Sequence, residues 1–115
     1  MKTIKEKITI NDFNKIDIRV GTIIEVKDFP IANKAAFQLK VDFGQLGIRK
    51  TSAQITGNYT IQNLINRKII AILNFKPKQI ANFMSEILVL GVHDDIGEVV
   101  LLKTLNSVKD GTSVT

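Results

Sequence analysis

The segment IDIRVGTIIEVK, residues 16–27, decides the fold because its apolar and polar residues alternate along most of its length. A period of two over such a long segment predicts a half-buried β-strand. Gly21 in the middle predicts a bulge or a sharp coil, which barrel strands use to turn a corner. Phe29-Pro30 ends the strand because proline cannot donate a hydrogen bond to the ladder. The apolar face is predicted to consist of Ile16, Ile18, Val20, Thr22, Ile24 and Val26.

The rest of the chain reads as further strands around one short helix. Residues 36–43 alternate in the same way, residues 44–47 form a tight hairpin turn, and residues 48–55 return as a third strand. Residues 59–66 have helical spacing. Later strands are predicted at 68–75, 86–92 and 98–104. This order predicts an all-β OB-fold, a five-stranded barrel with a short helix between strands 3 and 4, and a β-sandwich is the competing architecture.

The length of 115 residues suits one domain with its own hydrophobic core, and no cysteine is present to staple it. The N-terminus lacks the apolar region of a signal peptide, and no apolar run approaches the length of a membrane span. We therefore expect a cytoplasmic protein without membrane insertion. Residues 1–11 are predicted to be an N-terminal extension and residues 12–115 to form the domain.

The sequence contains no recognisable catalytic motif. Its one histidine, His93, lies in the polar turn HDDIG, with the adjacent carboxylates Asp94 and Asp95. A polar hairpin turn is the simpler interpretation of that stretch than a catalytic triad or a metal site. The glycines form no phosphate-binding loop. We expect no enzymatic activity, no metal and no cofactor.

Positive charge is concentrated in the first 85 residues. They contain 14 Lys and Arg against 6 Asp and Glu, whereas residues 86–115 contain 2 against 5. A basic body favours a polyanionic partner, with an ordinary basic surface as an equal alternative. Basic, amide and hydroxyl side chains are expected around the barrel face at Arg19, Lys34, Lys40, Arg49, Lys50, Gln54, Asn74, Lys76, Lys78 and Ser85.

Nucleic acid is a polyanion that OB barrels bind, along a groove of basic and aromatic side chains. Aromatic residues are only 6% of this chain, and Phe37, Phe43 and Phe75 are predicted to be structural. Phe83 is the one aromatic residue considered as a candidate for exposure, with burial as the favoured alternative. The pattern thus favours recognition of a particular RNA shape over general stacking on single strands.

The sixth strand is apolar on both faces, because Val99, Val100, Leu101 and Leu102 are consecutive. One face can cover the barrel, and the other must be buried by something else. A homodimer with this strand at its interface is the simplest solution. The alternative is that the N-terminal residues Ile4, Ile8 and Ile10 cover that face.

Three stretches carry a resemblance to a known family. FNKIDIRVGTIIEVKDFPIANKAAFQLKVDFG, SAQIT and LINRKIIAILNFKPKQIANFMSEILVLG, in this order, resemble the CsaA proteins, a bacterial tRNA-binding-domain family. They resemble more distantly the C-terminal tRNA-binding domain of bacterial methionyl-tRNA synthetases. The resemblance implies a dimeric OB-fold that binds tRNA by shape, without catalysis. The RNA-binding residues it implies, together with those expected on the neighbouring strand, are Arg49, Lys50, Ser52, Gln54, Asn74, Lys76, Pro77, Lys78, Ser85 and Glu86.

The resemblance also implies a second role. CsaA is described as an export-related chaperone that holds preproteins and contacts the translocation motor. Phe83 and Met84 are the candidate peptide-binding residues for that alternative. The chain departs from the synthetase domains at Phe29-Pro30, where they have His-Pro, and at Ser52-Ala53-Gln54, where they have Ser-Gly. Both departures are typical of the CsaA side of the family.

Overall fold

The computed structural model describes residues 3–115. Within them lie two short helices, α1 (Ile10–Phe13) and α2 (Ile61–Leu64), and a 3-10 turn at Gly44–Leu46. The strands are β1 (Ile18–Asp28), β2 (Phe37–Asp42), β3 (Ile48–Ala53), β4 (Lys68–Ile72), β5 (Lys78–Ile80), β6 (Phe83–Ser85), β7 (Leu88–Val89), β8 (Gly91–His93) and β9 (Val99–Leu101). No helix in residues 3–115 has the length and apolarity that crossing a membrane requires.

Five strands form the barrel. They lie in one antiparallel sheet in the order β3-β2-β1-β4-β7. The sheet curls until β3 meets the residue that leads into β7. There Glu86 N donates to Lys50 O over 2.9 Å, and Lys50 N donates to Glu86 Oε1 over 2.9 Å. The barrel is nearly closed and has α2 between β3 and β4, which confirms the predicted OB-fold.

The core confirms the inward face predicted for the second strand. Leu39, Val41 and Phe43 are almost completely buried in one apolar cluster. In β3, polar residues occupy both the inward and the outward positions, because an inward position is taken by a buried threonine. Thr51 is 1% exposed, and its Oγ1 donates to Ile87 O over 2.9 Å. A buried hydroxyl is tolerated when it is hydrogen-bonded in this way.

The inward face of β1 differs from the predicted one. Ile23 is completely buried in the core, whereas Ile24 is 40% exposed. The register with β2 shifts between Ile23 and Glu25, so the bulge lies at Ile24 and not at Gly21. A bulge exchanges inward and outward positions, which simple alternation cannot anticipate. Gly21 instead permits close packing, because a Cβ there would lie 2.6 Å from Phe43 Cε1.

The later strands differ from the prediction in one unexpected hairpin and one divided strand, while the predicted hairpin turn at residues 93–97 is present between β8 and β9. β5 and β6 pair with each other in a segment expected to be a loop. The strand predicted at 86–92 divides into β7, which completes the barrel, and β8, which pairs with β9. The polar turn between β8 and β9 is closed by Asp94 N, which donates to Glu98 O over 2.8 Å.

The C-terminal segment, residues 108–115, runs along the half of β1 that β2 leaves unpaired. Gly111 N donates to Val20 O over 2.7 Å, and Val114 N donates to Ile18 O over 2.9 Å. Asp110 holds the start of this segment. Its Oδ1 accepts from Thr22 Oγ1 at 2.6 Å and from Lys68 Nζ at 2.7 Å.

The N-terminal segment does not cover the outer face of β9. Ile4 is 98% exposed, Ile8 is 71% exposed and Ile10 is 70% exposed. The alternative in which these residues bury that face is therefore wrong. Met1 and Lys2, which begin the predicted extension, lie outside the described residues.

Candidate nucleic-acid interface

A cleft of about 440 Å³ opens on the barrel between β3, residues 75–78 and the start of β7. Its apolar walls consist of Ala53, Ile55, Phe75, Ile80, Ile87, Leu88, Val89, Val99 and Leu101. Its polar groups belong to Ser52, Gln54, Lys76, Lys78, Ser85 and Glu86. These six polar residues are all among the ten predicted to contact RNA, so the structure brings most of the predicted site into one cleft.

Lys76 and Lys78 stand at the rim of the cleft. Both are exposed, and the ion pairs found within residues 3–115 include neither of them. Pro77 between them has a fixed φ and no N–H, which limits the conformations of this short stretch. Lys78 also begins β5 and lies opposite Ser85. The rim therefore presents two cations on a backbone held by a proline and a hairpin.

Ser85 and Glu86 connect the cleft to the barrel. Ser85 Oγ lies 2.8 Å from Thr51 Oγ1 and accepts from Ser52 N over 3.1 Å. Glu86 uses its carboxylate to accept from Lys50 N. Both side chains thus replace ladder hydrogen bonds at the point where the barrel closes, and they also line the cleft.

Asn74 holds the chain that enters β1. Its Nδ2 donates to Lys15 O over 2.7 Å, and its Oδ1 accepts from Asp17 N over 2.9 Å. Both functional groups of the amide are therefore engaged with the backbone. Asn74 precedes the cleft and is not among the residues that line it.

A second cavity, of about 310 Å³, adjoins the cleft. The two share Ser52, Gln54 and Ile80, and the second cavity adds Lys34 from the loop between β1 and β2. We refer to the cleft and this cavity together as the groove, whose lining includes Lys34, Lys76 and Lys78.

The other predicted basic residues are directed elsewhere. Lys50 Nζ lies 5.1 Å from the centre of the Phe83 ring, beside the cleft rather than in its lining. Arg49 is on the other face of β3, and its Nη2 donates to Leu46 O over 3.1 Å. Arg19 pairs with Asp17 at 2.6 Å, and Lys40 pairs with Glu25 at 3.3 Å. Their charges still add to the field of the basic body.

The prediction that Phe75 is structural was wrong, and Phe83, the one aromatic residue considered for exposure, is partly buried as the favoured alternative expected. Phe75 is 53% exposed and lies in the wall of the cleft. Phe83 is half-buried and packs edge-on against Phe29, with ring centres 5.5 Å apart. The strand predicted at 68–75 included Phe75, whereas β4 ends at Ile72, and no local sequence signal marks that end.

Phe83 and Met84 lie on opposite faces of the β5–β6 hairpin, because successive residues of a strand point to opposite sides. Met84 is 40% exposed and, like Phe83, does not line the cleft. The two predicted peptide-binding residues are therefore not brought together into one surface.

His93 is exposed, and its neighbour Asp94 builds the turn. Asn58 Nδ2 donates to Asp94 Oδ2 over 3.0 Å, and the N–H groups of Glu98 and Ile96 donate to Oδ1. The Asn58 hydrogen bond, followed by these backbone hydrogen bonds, lowers the pKa of Asp94. Residues 3–115 contain no group of three or more histidine, aspartate and glutamate side chains placed to hold a metal ion.

Comparison with known proteins gives the family. A family model described as "Putative tRNA binding domain" matches residues 18–113. The chain superposes on the crystal structure of chaperone CsaA from Bacillus anthracis with a TM-score of 0.90 and 40% identity, over 96% of this chain and 100% of that one. It superposes on the CsaA chaperone protein from Picrophilus torridus with a TM-score of 0.88 and 54% identity, over 95% of this chain and 100% of that one.

Methionine–tRNA ligases are similar to the chain over one segment of their length. The ligase of Methanocaldococcus jannaschii is 37% identical over 109 residues, which are 95% of this chain and 16% of the ligase. The chain therefore spans about a sixth of that relative. The matched family model covers most of the chain, and the CsaA structures are covered in full. The chain therefore belongs to the tRNA-binding-domain family, as a CsaA-like member.

Proposed function

We propose that this protein is a non-catalytic, cytoplasmic tRNA-binding protein that recognises the shape of folded RNA through the cleft and its lysine rim. The observation that carries the proposal is the position of Lys76 and Lys78, two exposed cations at the rim, in a chain of the tRNA-binding-domain family. Lysines at such a rim neutralise phosphates and set the position of the RNA without reading bases.

The charge distribution supports the same proposal. The cleft contains one carboxylate, Glu86, and its Oε1 already accepts a hydrogen bond from the backbone of Lys50. Lys34 and Lys50 lie within or beside the groove, so RNA meets positive charge along its path. A basic groove of this kind attracts polyanions over a range that falls with ionic strength.

The test is equilibrium binding of unfractionated tRNA at several salt concentrations, with a hairpin-free RNA of equal length for comparison. Shape recognition predicts tighter binding of tRNA than of the unstructured RNA. The double variant Lys76→Ala, Lys78→Ala should weaken binding and flatten its salt dependence, because each lost phosphate contact removes about 0.7–0.9 from the log–log slope.

The matched control is Lys103→Ala with Lys109→Ala, which removes the same charge from two exposed lysines outside the cleft. It should leave the slope nearly unchanged. An unchanged slope in the Lys76, Lys78 variant would contradict contact between the rim and RNA.

The protein is further proposed to act as a homodimer through the β8–β9 hairpin. Val99 and Leu101 face the barrel, whereas Val100 is 39% exposed and Leu102 is 37% exposed. Val92, which lies opposite Val100 on the same face, is 53% exposed. A patch of valines and leucines on two short strands favours a self-complementary contact with a second copy.

The second candidate function is chaperone-like binding of apolar segments of preproteins, with the export motor as a partner. The observation that favours it is the mainly apolar wall of the cleft, together with the relationship to chaperone CsaA. It predicts that the protein suppresses aggregation of an unfolded client, at low and high salt alike. Loss of this suppression on addition of salt would count against an apolar peptide site. Loss of the suppression on addition of tRNA would also count against it, if the charge of the tRNA alone causes that loss.

A further inference from the structure

Phe75 is an exposed aromatic ring in a cleft that is otherwise aliphatic and polar. It is 53% exposed, and the aromatic pair found within residues 3–115 joins Phe29 to Phe83, not to Phe75. A phenylalanine left half in solvent is open to coverage by a ligand, and every nucleobase offers a flat face to stack on such a ring. Its chain neighbour is Lys76, so the ring and the first cation of the rim are adjacent.

Two polar side chains in the same cleft have free hydrogen-bonding groups. Within residues 3–115, neither the Ser52 hydroxyl nor the Gln54 amide makes a hydrogen bond, although Ser52 N donates to Ser85 Oγ. An amide offers both a donor and an acceptor, and a hydroxyl offers the same pair at one atom. These are the groups that read the edge of an unpaired base. Ser85 and Glu86 already form hydrogen bonds with β3. Ser52 and Gln54 are therefore the cleft residues whose side chains are available to hydrogen-bond with a base edge.

The combination points to an unpaired nucleotide rather than to an apolar peptide segment. An apolar peptide segment would use the apolar wall and could pair its backbone amides with Gln54, but it carries no anionic group for Lys76 and Lys78. A nucleotide uses all three kinds of group, because its base has a flat apolar face and a polar edge and its phosphates are anionic.

We infer that the cleft holds one unpaired RNA base, stacked on Phe75 with its edge on Gln54 and Ser52 and its flanking phosphates on Lys76 and Lys78. This inference rests on the proposed RNA binding and adds to it a subsite for a base from a loop or an end. A folded RNA is then recognised by its shape outside the cleft and by one extruded base inside it.

The experiment uses the full chain and a tetranucleotide RNA that carries 2-aminopurine, whose fluorescence is quenched when the base stacks. The variant Phe75→Leu keeps the site apolar but removes the aromatic face, and Phe75→Tyr restores that face. Leu105→Ala, at an exposed apolar residue outside the cleft, is the matched control. Full-length tRNA is titrated with each variant in parallel, over the same salt range.

Phe75→Leu is expected to weaken tetranucleotide binding by about 5- to 150-fold and to remove the quenching, with the salt slope unchanged. Phe75→Tyr and Leu105→Ala should bind as the unaltered protein does. Gln54→Ala, at an exposed position, should instead change the ranking among tetranucleotides of different bases.

Three results would overturn the inference, and they separate it from the proposed function. If Phe75→Leu binds both RNAs normally while the Lys76, Lys78 variant loses its salt slope, RNA binding stands and the base subsite is wrong. If Phe75→Leu binds both RNAs normally but no longer binds an apolar peptide, the cleft is a peptide site. If the unaltered protein binds neither RNA, the proposed function fails as well.

Discussion

At the scale of single residues, the backbone conformation of Ala81 is the clearest departure from what its side chain prefers. Ala81 and Asn82 form the two-residue turn between β5 and β6, where Ile80 lies opposite Phe83. The φ of Ala81 is 53°, in the left-handed region. Such a turn prefers glycine at its first central position, because a Cβ there approaches a carbonyl oxygen.

Replacing Ala81 with glycine should therefore stabilise the protein by about 0.5–1 kcal/mol, the relief of strain being partly offset by the greater freedom of glycine in the unfolded chain. Urea denaturation of Ala81→Gly measures this directly. The control is Ala32→Gly, at a loop residue that does not have a positive φ, and it should lower stability. Equal losses in both variants would show that Ala81 is unstrained.

Residue positions in the candidate site also explain why sequence reasoning assigned some side chains correctly and others not. Lys76 and Lys78 were predicted as RNA-binding residues from the basic side chains of their segment and from the family resemblance, and the structure places both in the cleft. Phe75 was predicted to be structural because it ended the apolar strand predicted at 68–75. β4 ends three residues before it, so its side chain is free to face the cleft.

At the scale of elements, the β8–β9 hairpin gives the two apolar faces of β9 different roles, one in the core and one on the outside. β9 sends Leu101 into the core and leaves Val100 opposite Val92 on the outside. The consecutive apolar residues predicted this division, and the turn at residues 93–97 predicted the hairpin, whereas the break that separates β8 from β7 was not predicted. The paired valines make the exposed face wider than a single strand would.

A charge in this face should prevent self-association. Val100→Asp is expected to turn a dimer into a monomer, because a two-fold contact would bring two buried like charges together. Sedimentation equilibrium of the unaltered protein should give twice the chain mass, and the variant should give the chain mass. Ile96→Asp, at a residue 82% exposed in the adjoining turn, is the control and should remain dimeric. A monomeric unaltered protein would contradict the proposed interface.

The closure of the barrel is also decided at the level of elements. β3 and β7 are joined through Glu86 and Ser85, which take the place of a full strand ladder. The same residues line the cleft, so the closure of the barrel and the shape of the cleft depend on one short stretch. This double use explains why a Ser-Glu pair stands at the end of the β5–β6 hairpin.

At the scale of the whole molecule, the C-terminal segment returns to the first strand of the barrel. It runs along β1 and is attached through Asp110 to Thr22 and Lys68. Partial burial acts to raise the pKa of Asp110, but the hydrogen bonds from Lys68 and Thr22 and the charge of Lys68 lower that pKa on balance. A carboxylate with a lowered pKa in the folded state stabilises that state only while it is ionised.

The pH dependence of stability follows from the lowered pKa of Asp110. The contribution of Asp110 is fully present above the unfolded carboxyl pKa of about 3.9 and is lost as pH falls through the lower folded pKa. The free energy of unfolding should therefore be nearly constant between about pH 7 and 5 and fall below about pH 4. Urea titrations at each pH provide the measurement.

Asp110→Asn should reduce stability at neutral pH and make the decrease below pH 4 shallower. Asp12 and Asp94, whose pKa values are also lowered by hydrogen bonds, account for part of the remaining decrease. Asp95→Asn is the control, because its carboxylate accepts no hydrogen bond within residues 3–115. Parallel pH profiles for Asp110→Asn and the unaltered protein would rule out this role of Asp110.

By itself, the sequence determined the fold class and the order of the barrel strands. These features depend on local patterns, such as the alternation over 36–43 and the turn residues at 44–47. The tertiary structure alone decided the bulge at Ile24, the exposure of Phe75, and the engagement of Asn74, Ser85 and Glu86 with distant backbone. The physical reason is that each of these depends on contacts between residues far apart in the chain, and such contacts leave no period or motif in the local sequence.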